Sequence, residues 1–152
     1  MKVVVQRVKS AKVTVDGAIT GQIDKGLLLL AGVCQSDTPE ILDWVCNKIA
    51  GLRIFSDENQ KMNLSVQDVG GAILVVSNFT VCGNAAKGFR PSFTNSAAPE
   101  FAEKMYEDMI AKFREMNIKT EAGIFGAMMD VDLVNDGPVT VIIEKKGADT
   151  QE

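Results

Sequence analysis

The chain has 152 residues, 46% of them hydrophobic and 24% charged, a composition that fits one globular domain with a sizeable core. With a formal charge of −4, no broad basic face advertises a protein that wraps duplex nucleic acid, so any nucleic-acid contact must be local. It holds no histidine, which excludes Ser-His-Asp and Cys-His catalysis and every His-dependent metal site; an enzyme built on it would draw acid–base chemistry from Asp, Glu, Lys, Tyr or Cys, or from its substrate.

From Val3 to Val15 polar and apolar residues alternate on either side of Lys9-Ser10, which predicts two strands of a hairpin with those two residues in the turn. Met1-Lys2 leads directly into this pattern, so no signal peptide is expected. Asp16-Gly17 predicts a turn into a further short strand, and the apolar run Gly26–Val33 a strand buried on both faces. That run, extended to Cys34, is too short to cross a bilayer, and a cytoplasmic protein with no membrane partner is expected. Thr38 before Pro39 reads as an N-cap followed by proline at the first helical position; Ile41, Trp44, Val45, Ile49 and Leu52 then recur at helical spacing, predicting a helix from Pro39 to about Ala50. Three cysteines, Cys34, Cys46 and Cys82, without a CxxC spacing predict reduced, mostly buried thiols.

The polar segment SDENQKMN predicts a loop, and Gly70-Gly71 introduces AILVVSNF, a buried strand that ends in Ser77, Asn78 and Thr80. Residues Gly83–Ala98 are irregular and carry KGFR, Lys87 to Arg90, the cluster that best fits a local nucleic-acid contact, although a solvated loop is the commoner meaning of such a run. Pro99 opens a second helix, with Phe101, Met105, Tyr106, Met109, Ile110 and Phe113 as its core face. Two last strands lie around NDGPVT, and a polar tail over 146–152 is expected to fray. Strands outnumber helices, which makes this an α+β domain with a mostly antiparallel sheet and two main helices.

Two strand-ending polar segments could carry chemistry. In SNFT, Ser77 and Thr80 could simply satisfy nearby backbone, or Thr80 and the amides of Phe79 and Thr80 could address a carbonyl carbon and its oxyanion; spacing does not choose between them. Cys82 is close by, but lacks a histidine to activate it. Asp130 and Asp132 share a strand face, for which a solvated surface is a commoner reason than a metal. In NDGPVT, Gly137-Pro138 interrupts an otherwise strand-like run. A plain turn is one reading; a cis X-Pro bond that aims two adjacent carbonyls is the other.

Seven segments in order, QRV (Gln6–Val8), LRIF (Leu52–Phe55), KMN (Lys61–Asn63), GGAILVVS (Gly70–Ser77), KGFRPSF (Lys87–Phe93), FGA (Phe125–Ala127) and LVNDGPVT (Leu133–Thr140), resemble the D-aminoacyl-tRNA deacylase family from Met1 to about Ile143. The resemblance implies a barrel-like sheet in a homodimer that hydrolyses the ester between a D-amino acid, or glycine, and the 3′-terminal adenosine of tRNA. It implies a cis Gly137-Pro138 bond that reaches into the partner subunit's pocket, where two carbonyl oxygens fill the space an L side chain would need. It further implies that the amides of Phe79 and Thr80 steady the ester carbonyl oxygen beside Ser77 and Asn78, and that the ribose 2′-hydroxyl assists the attack. Arg7 would hold the Gly-Pro loop, and Phe125, Ala127 and Met129 would line the adenosine pocket. No cofactor and no metal is expected.

The chain departs from the family pattern in two places: Asn78 stands where glutamine is usual, and VCGNAAKG lacks the acidic or hydroxyl residues often found there. Two alternatives stand beside the deacylase. One is a non-catalytic nucleic-acid-binding dimer on the same fold, its pocket disabled at Asn78; the other is an esterase acting on small esters through Thr80.

Overall fold

The computed structural model describes residues 1–147; most of the expected frayed tail, residues 148–152, lies outside the described residues. In chain order the elements are β1 (Lys2–Val15), β2 (Ala18–Ile23), β3 (Gly26–Gly32), α1 (Pro39–Gly51), β4 (Phe55–Ser56), β5 (Met62–Leu64), β6 (Ala72–Ser77), a 3-10 turn (Phe79–Cys82), α2 (Pro99–Glu115), β7 (Thr120–Ala122) and β8 (Asp130–Glu144).

Strand β1 is one continuous strand, not the expected hairpin. It bends because its ladder with β8 shifts register twice, between Gln6 and Val8 and between Val8 and Ser10. The bend also appears in its burial: Val3, Val5 and Arg7 are buried in alternation, then Val8, then Ala11 and Val13. Lys9-Ser10 is thus a bulge that redirects the strand. Along one edge β1 pairs with β8; along the other, Lys2–Val8 pair with β3 and Ala11–Val15 with β2, all antiparallel. The turn at Asp16-Gly17 falls as expected, with both residues at positive φ.

The sheet runs β2-β1-β3-β6-β7 with β8 on β1, and β2 packs against β7, which nearly closes a barrel. The β3–β6 and β6–β7 pairs are parallel, because α1 and α2 each carry the chain back to the starting edge. The two final strands expected on either side of Gly137-Pro138 are instead one long strand, β8, that passes through it, and a short strand, β7, lies before it at Thr120–Ala122, where none was expected. The polar loop 56–63 is the tip of a small antiparallel β4–β5 hairpin.

Two cores explain the continuous apolar runs. Leu27 and Leu29 of β3 and Ile73 and Val75 of β6 point to the helix side, where they meet Val45 and Ile49 of α1 and Met105, Met109 and Phe113 of α2. Their alternates, Leu28, Leu74 and Val76, fill the barrel interior with Val8, Ala11, Val13 and Ile23. A strand covered on both faces has no polar side to show, so GLLLLAG and AILVV are apolar throughout.

Thr38 caps α1 by accepting from the Ile41 amide at 3.3 Å, with Pro39 at the first position, as expected. The expected helix faces need correction at their margins. Trp44 and Phe101 are 39% and 41% exposed; Leu42 and Cys46 on α1 and Ala102 on α2 take the buried places instead. Ile110 is only partly buried. Among the described residues, no helix is long and apolar enough to cross a membrane.

Candidate active site

Ser77 closes β6, and the chain then folds down as a 3-10 turn against the end of β3. Gly32 permits this approach: a Cβ there would stand 2.8 Å from Cys82 Sγ and 3.3 Å from the Asn78 carbonyl oxygen. The Asn78 amide donates to Ala31 at 2.9 Å, and the first bond of the turn runs from Val81 to the Asn78 carbonyl at 3.2 Å. The amides of Phe79 and Thr80 precede that bond, where a helical turn leaves its opening N–H groups without internal acceptors. They form a ledge able to receive an oxyanion.

Side chains fix the ledge. The Thr80 hydroxyl donates to Asn78 Oδ1 at 2.5 Å, so it is committed to an amide oxygen, which is too weak a base to activate a nucleophile. Phe79 is 58% exposed, and its ring meets Phe93 edge-on at 5.4 Å. Ser96 Oγ donates to the Phe79 carbonyl at 3.3 Å. Phe93 and Ser96 belong to the irregular segment; Phe93 closes the KGFRPSF motif, whereas nothing in the sequence singled out Ser96.

Beneath the ledge Cys34 and Cys82 lie with their sulfurs 2.8 Å apart, and both are free thiols. Their hydrogen bond lowers Cys34 to about 7 while it and burial raise Cys82. Cys82 is therefore a poor nucleophile, in keeping with the sequence. Burial pushes Cys46 up to about 12.

The second segment forms a loop out of β8. Gln6 faces Thr140 and Val8 faces Asn135, so Asp136–Val139 together stand opposite Arg7 alone. The Gly137-Pro138 peptide is cis, and both residues are exposed. Arg7, 9% exposed, spans the base of the loop: Nε donates to the Asp136 carbonyl at 3.1 Å, a second nitrogen donates to Ile54 at 2.7 Å, and the Asp136 carboxylate lies 3.5 Å from Nε. Asn135 Nδ2 closes the other shoulder, donating to the Arg7 carbonyl at 2.9 Å and the Val139 carbonyl at 3.0 Å. Gly137 has φ +131, and a Cβ there would lie 2.8 Å from Val139 Cγ2 and 3.1 Å from an Arg7 nitrogen. Asn135 is the tie that sequence reasoning missed, although it opens the quoted motif.

The third group is half-buried. Phe125 packs on the helix-side core and its ring lies 5.9 Å from that of Tyr106, whose hydroxyl donates to the Gly123 carbonyl at 2.9 Å. Burial raises Tyr106 to about 12. Ala127 closes a turn on Ile124, and Met129 packs on the barrel core. Tyr106 thus anchors this segment as well as filling the core.

The ledge is held by Ala31, Phe93 and Ser96, the loop by Arg7 and Asn135, and these two sets of partners share no residue. A surface depression along α2 at Glu107–Glu115 and another beside Trp44 and Arg53 lie away from both. Asp130 and Asp132 are exposed on β8, Asp132 directly opposite Lys12.

A family model described as D-Tyr-tRNA(Tyr) deacylase matches residues 4–144. A D-aminoacyl-tRNA deacylase of Exiguobacterium sibiricum is 57% identical over 95% of this chain and 100% of its own length. Another, from Desulfatibacillum aliphaticivorans, is 57% identical over 96% of this chain and 100% of its own. Among solved structures, one described as c-Myc DNA Unwinding Element Binding Protein superposes with a TM-score of 0.91 at 38% identity, covering 97% of this chain and 100% of that one. A probable eukaryotic D-amino acid tRNA deacylase shares the fold, with a TM-score of 0.79 at 15% identity, covering 93% of this chain and 97% of that one.

Proposed function

The chain belongs to the D-Tyr-tRNA(Tyr) deacylase family, and we propose that it hydrolyses the ester joining a D-amino acid to the 3′-terminal adenosine of tRNA. The observation that carries this reading is 57% identity to a curated D-aminoacyl-tRNA deacylase along 95% of the chain. Water attacks the ester carbonyl, the bond to O3′ breaks, and O3′ leaves with a proton as the free D-amino acid departs. The amides of Phe79 and Thr80 receive the oxyanion, a role that their place at the head of the 3-10 turn supports. With no histidine in the chain, the neighbouring 2′-hydroxyl assists the water; Ser77 and Asn78 flank the ester, and Phe125, Ala127 and Met129 line the adenosine.

Chirality is read by exclusion. Enantiomers carry the same atoms, so attraction to a side chain discriminates poorly across many amino acids; a wall placed where only the L side chain would go rejects all of them. The carbonyls of Gly137 and Pro138 form that wall. Support comes from their exposure and from the ties to Arg7 and Asn135, which hold the loop rigid at both shoulders. Glycine has no side chain to clash and is hydrolysed too. The loop serves the pocket of a second copy, so the active unit is a homodimer, and the exposed apolar residues Leu133, Val134 and Ile142 along β8 suit such an interface.

Matched D-, L- and glycyl esters of one tRNA species test the reading. D and glycyl esters are lost while the L ester survives. Equal loss of D and L would remove the wall, and loss of none would remove the deacylase.

The 38%-identical structure named for binding a DNA element favours one second reading, a nucleic-acid-binding dimer with a disabled pocket. Asn78→Gln decides it: a large gain in deacylation over an inert wild type marks a decayed site.

A further inference from the structure

Between Asp68 and Glu100 the chain carries no acidic residue, although it has 20 in all. The only charged side chains in that stretch are Lys87 and Arg90, both exposed. Between them Phe89 is 108% exposed, a large ring with no cover at all. A single exposed apolar residue is ordinary. Two further facts distinguish this one.

The first is that the loop presenting it is pinned. Asn84 and Ser92 exchange backbone hydrogen bonds of 2.7 and 2.8 Å, Asn84 Oδ1 accepts from the Ala86 amide at 2.9 Å, and Gly88, at φ +65, turns the chain at the tip. The second is that the base of the loop is continuous with the ledge. Phe93, one residue beyond the closing bridge, carries the ring that meets Phe79 at 5.4 Å and 76°. An aromatic ring flanked by two cations, on a stretch of chain without carboxylates, is the arrangement that grips single-stranded nucleic acid: the ring takes a base face and the cations take phosphates.

We infer that Phe89 stacks on an unpaired base of the tRNA 3′ strand just 5′ of the aminoacylated adenosine, while Lys87 and Arg90 hold the adjoining phosphates. The inference rests on the deacylase reading, which puts the ester at the ledge, and it names the next part of the substrate that the chain grips. Stacking accepts any base, so the contact adds affinity for tRNA without selecting among its species.

The test compares two D-aminoacyl esters, the intact tRNA and the 3′-O-aminoacyl adenosine, which lacks the RNA to be gripped. Phe89→Ala and Phe89→Leu lower kcat/KM on the tRNA about tenfold, through KM, while Phe89→Trp retains it and none of the three alters hydrolysis of the adenosine ester. Lys87→Gln with Arg90→Gln flattens the salt dependence on tRNA by about 0.7 in logarithmic slope per charge removed. The inference is overturned if Phe89→Ala matches the wild type on tRNA, if it lowers both esters alike, or if sedimentation shows that it changes the oligomeric state. If the wild type cleaves neither ester, the deacylase reading falls and this inference with it; if it cleaves both and Phe89→Ala has no effect, the inference falls alone.

Discussion

Arg7 and Gly137 are two sides of one constraint. The guanidinium fills the base of the loop and bonds two carbonyls, so the loop can close on it only where residue 137 has no side chain. Alanine there must leave φ +131, a region L residues rarely adopt, at a strain of about 1–3 kcal/mol, and must push Arg7 or Val139 aside. The loop is exposed, so the fold absorbs this change more easily than the site does. Gly137→Ala therefore lowers kcat/KM for a D-aminoacyl ester about a hundredfold, the usual consequence of misplacing a group by about 1 Å, while unfolding shifts by only about 1–2 kcal/mol. Normal kinetics with unchanged chiral preference would contradict the role given to the loop. A separate consequence concerns the thiols. The thiolate is the reactive form, and the hydrogen bond from Cys82 favours it at Cys34, so alkylation of Cys34 should rise with pH through an inflection near 7; an inflection near the ordinary 9.0 would contradict the contact. Cys46, held near 12 by burial, stays inert over that range.

At the scale of elements, what the sequence made legible followed burial. Runs covered on both faces, β3 and β6, announce themselves because nothing polar interrupts them, and the Thr38-Pro39 start of α1 rests on a local hydrogen bond. Thr38→Ala removes that bond and should lower stability by about 1 kcal/mol in urea unfolding, with no change in m-value. Leu74, wholly buried in the barrel interior, should lose about 2–5 kcal/mol on truncation to alanine, because the closed sheet cannot collapse around the cavity. A turn and a bulge both use a break in alternation, and this is why Lys9-Ser10 read as the end of a hairpin. The two are separated only by the long-range partners β2, β3 and β8, which no local pattern contains. Trp44 and Phe101 sit at the margins of helical faces, where periodicity permits burial but tertiary packing decides it. The motifs SNFT and NDGPVT were visible as interruptions of strands. The contacts that fix them, made by Phe93, Ser96 and Asn135, were not, since each acts across the fold or on backbone.

At the scale of the whole molecule, a single chain keeps its ledge and its Gly-Pro loop on separate supports. A complete pocket on this reading is made by two copies, each lending a wall to the other's ledge. Charge is divided in the same sense: the chain is acidic in sum, yet the segment from the end of β6 to the start of α2 carries only Lys87 and Arg90. On the proposed reading, this division suits a substrate gripped by its end.

Exclusion by the wall keeps L esters out of the pocket before any bond is made or broken. Its most direct measure is calorimetric binding of matched D- and L-aminoacyl adenosines in which an amide replaces the ester and cannot be hydrolysed. With the wall in place, the D compound binds and the L compound does not. Equal affinity for the two would place discrimination in the chemical step and contradict the wall.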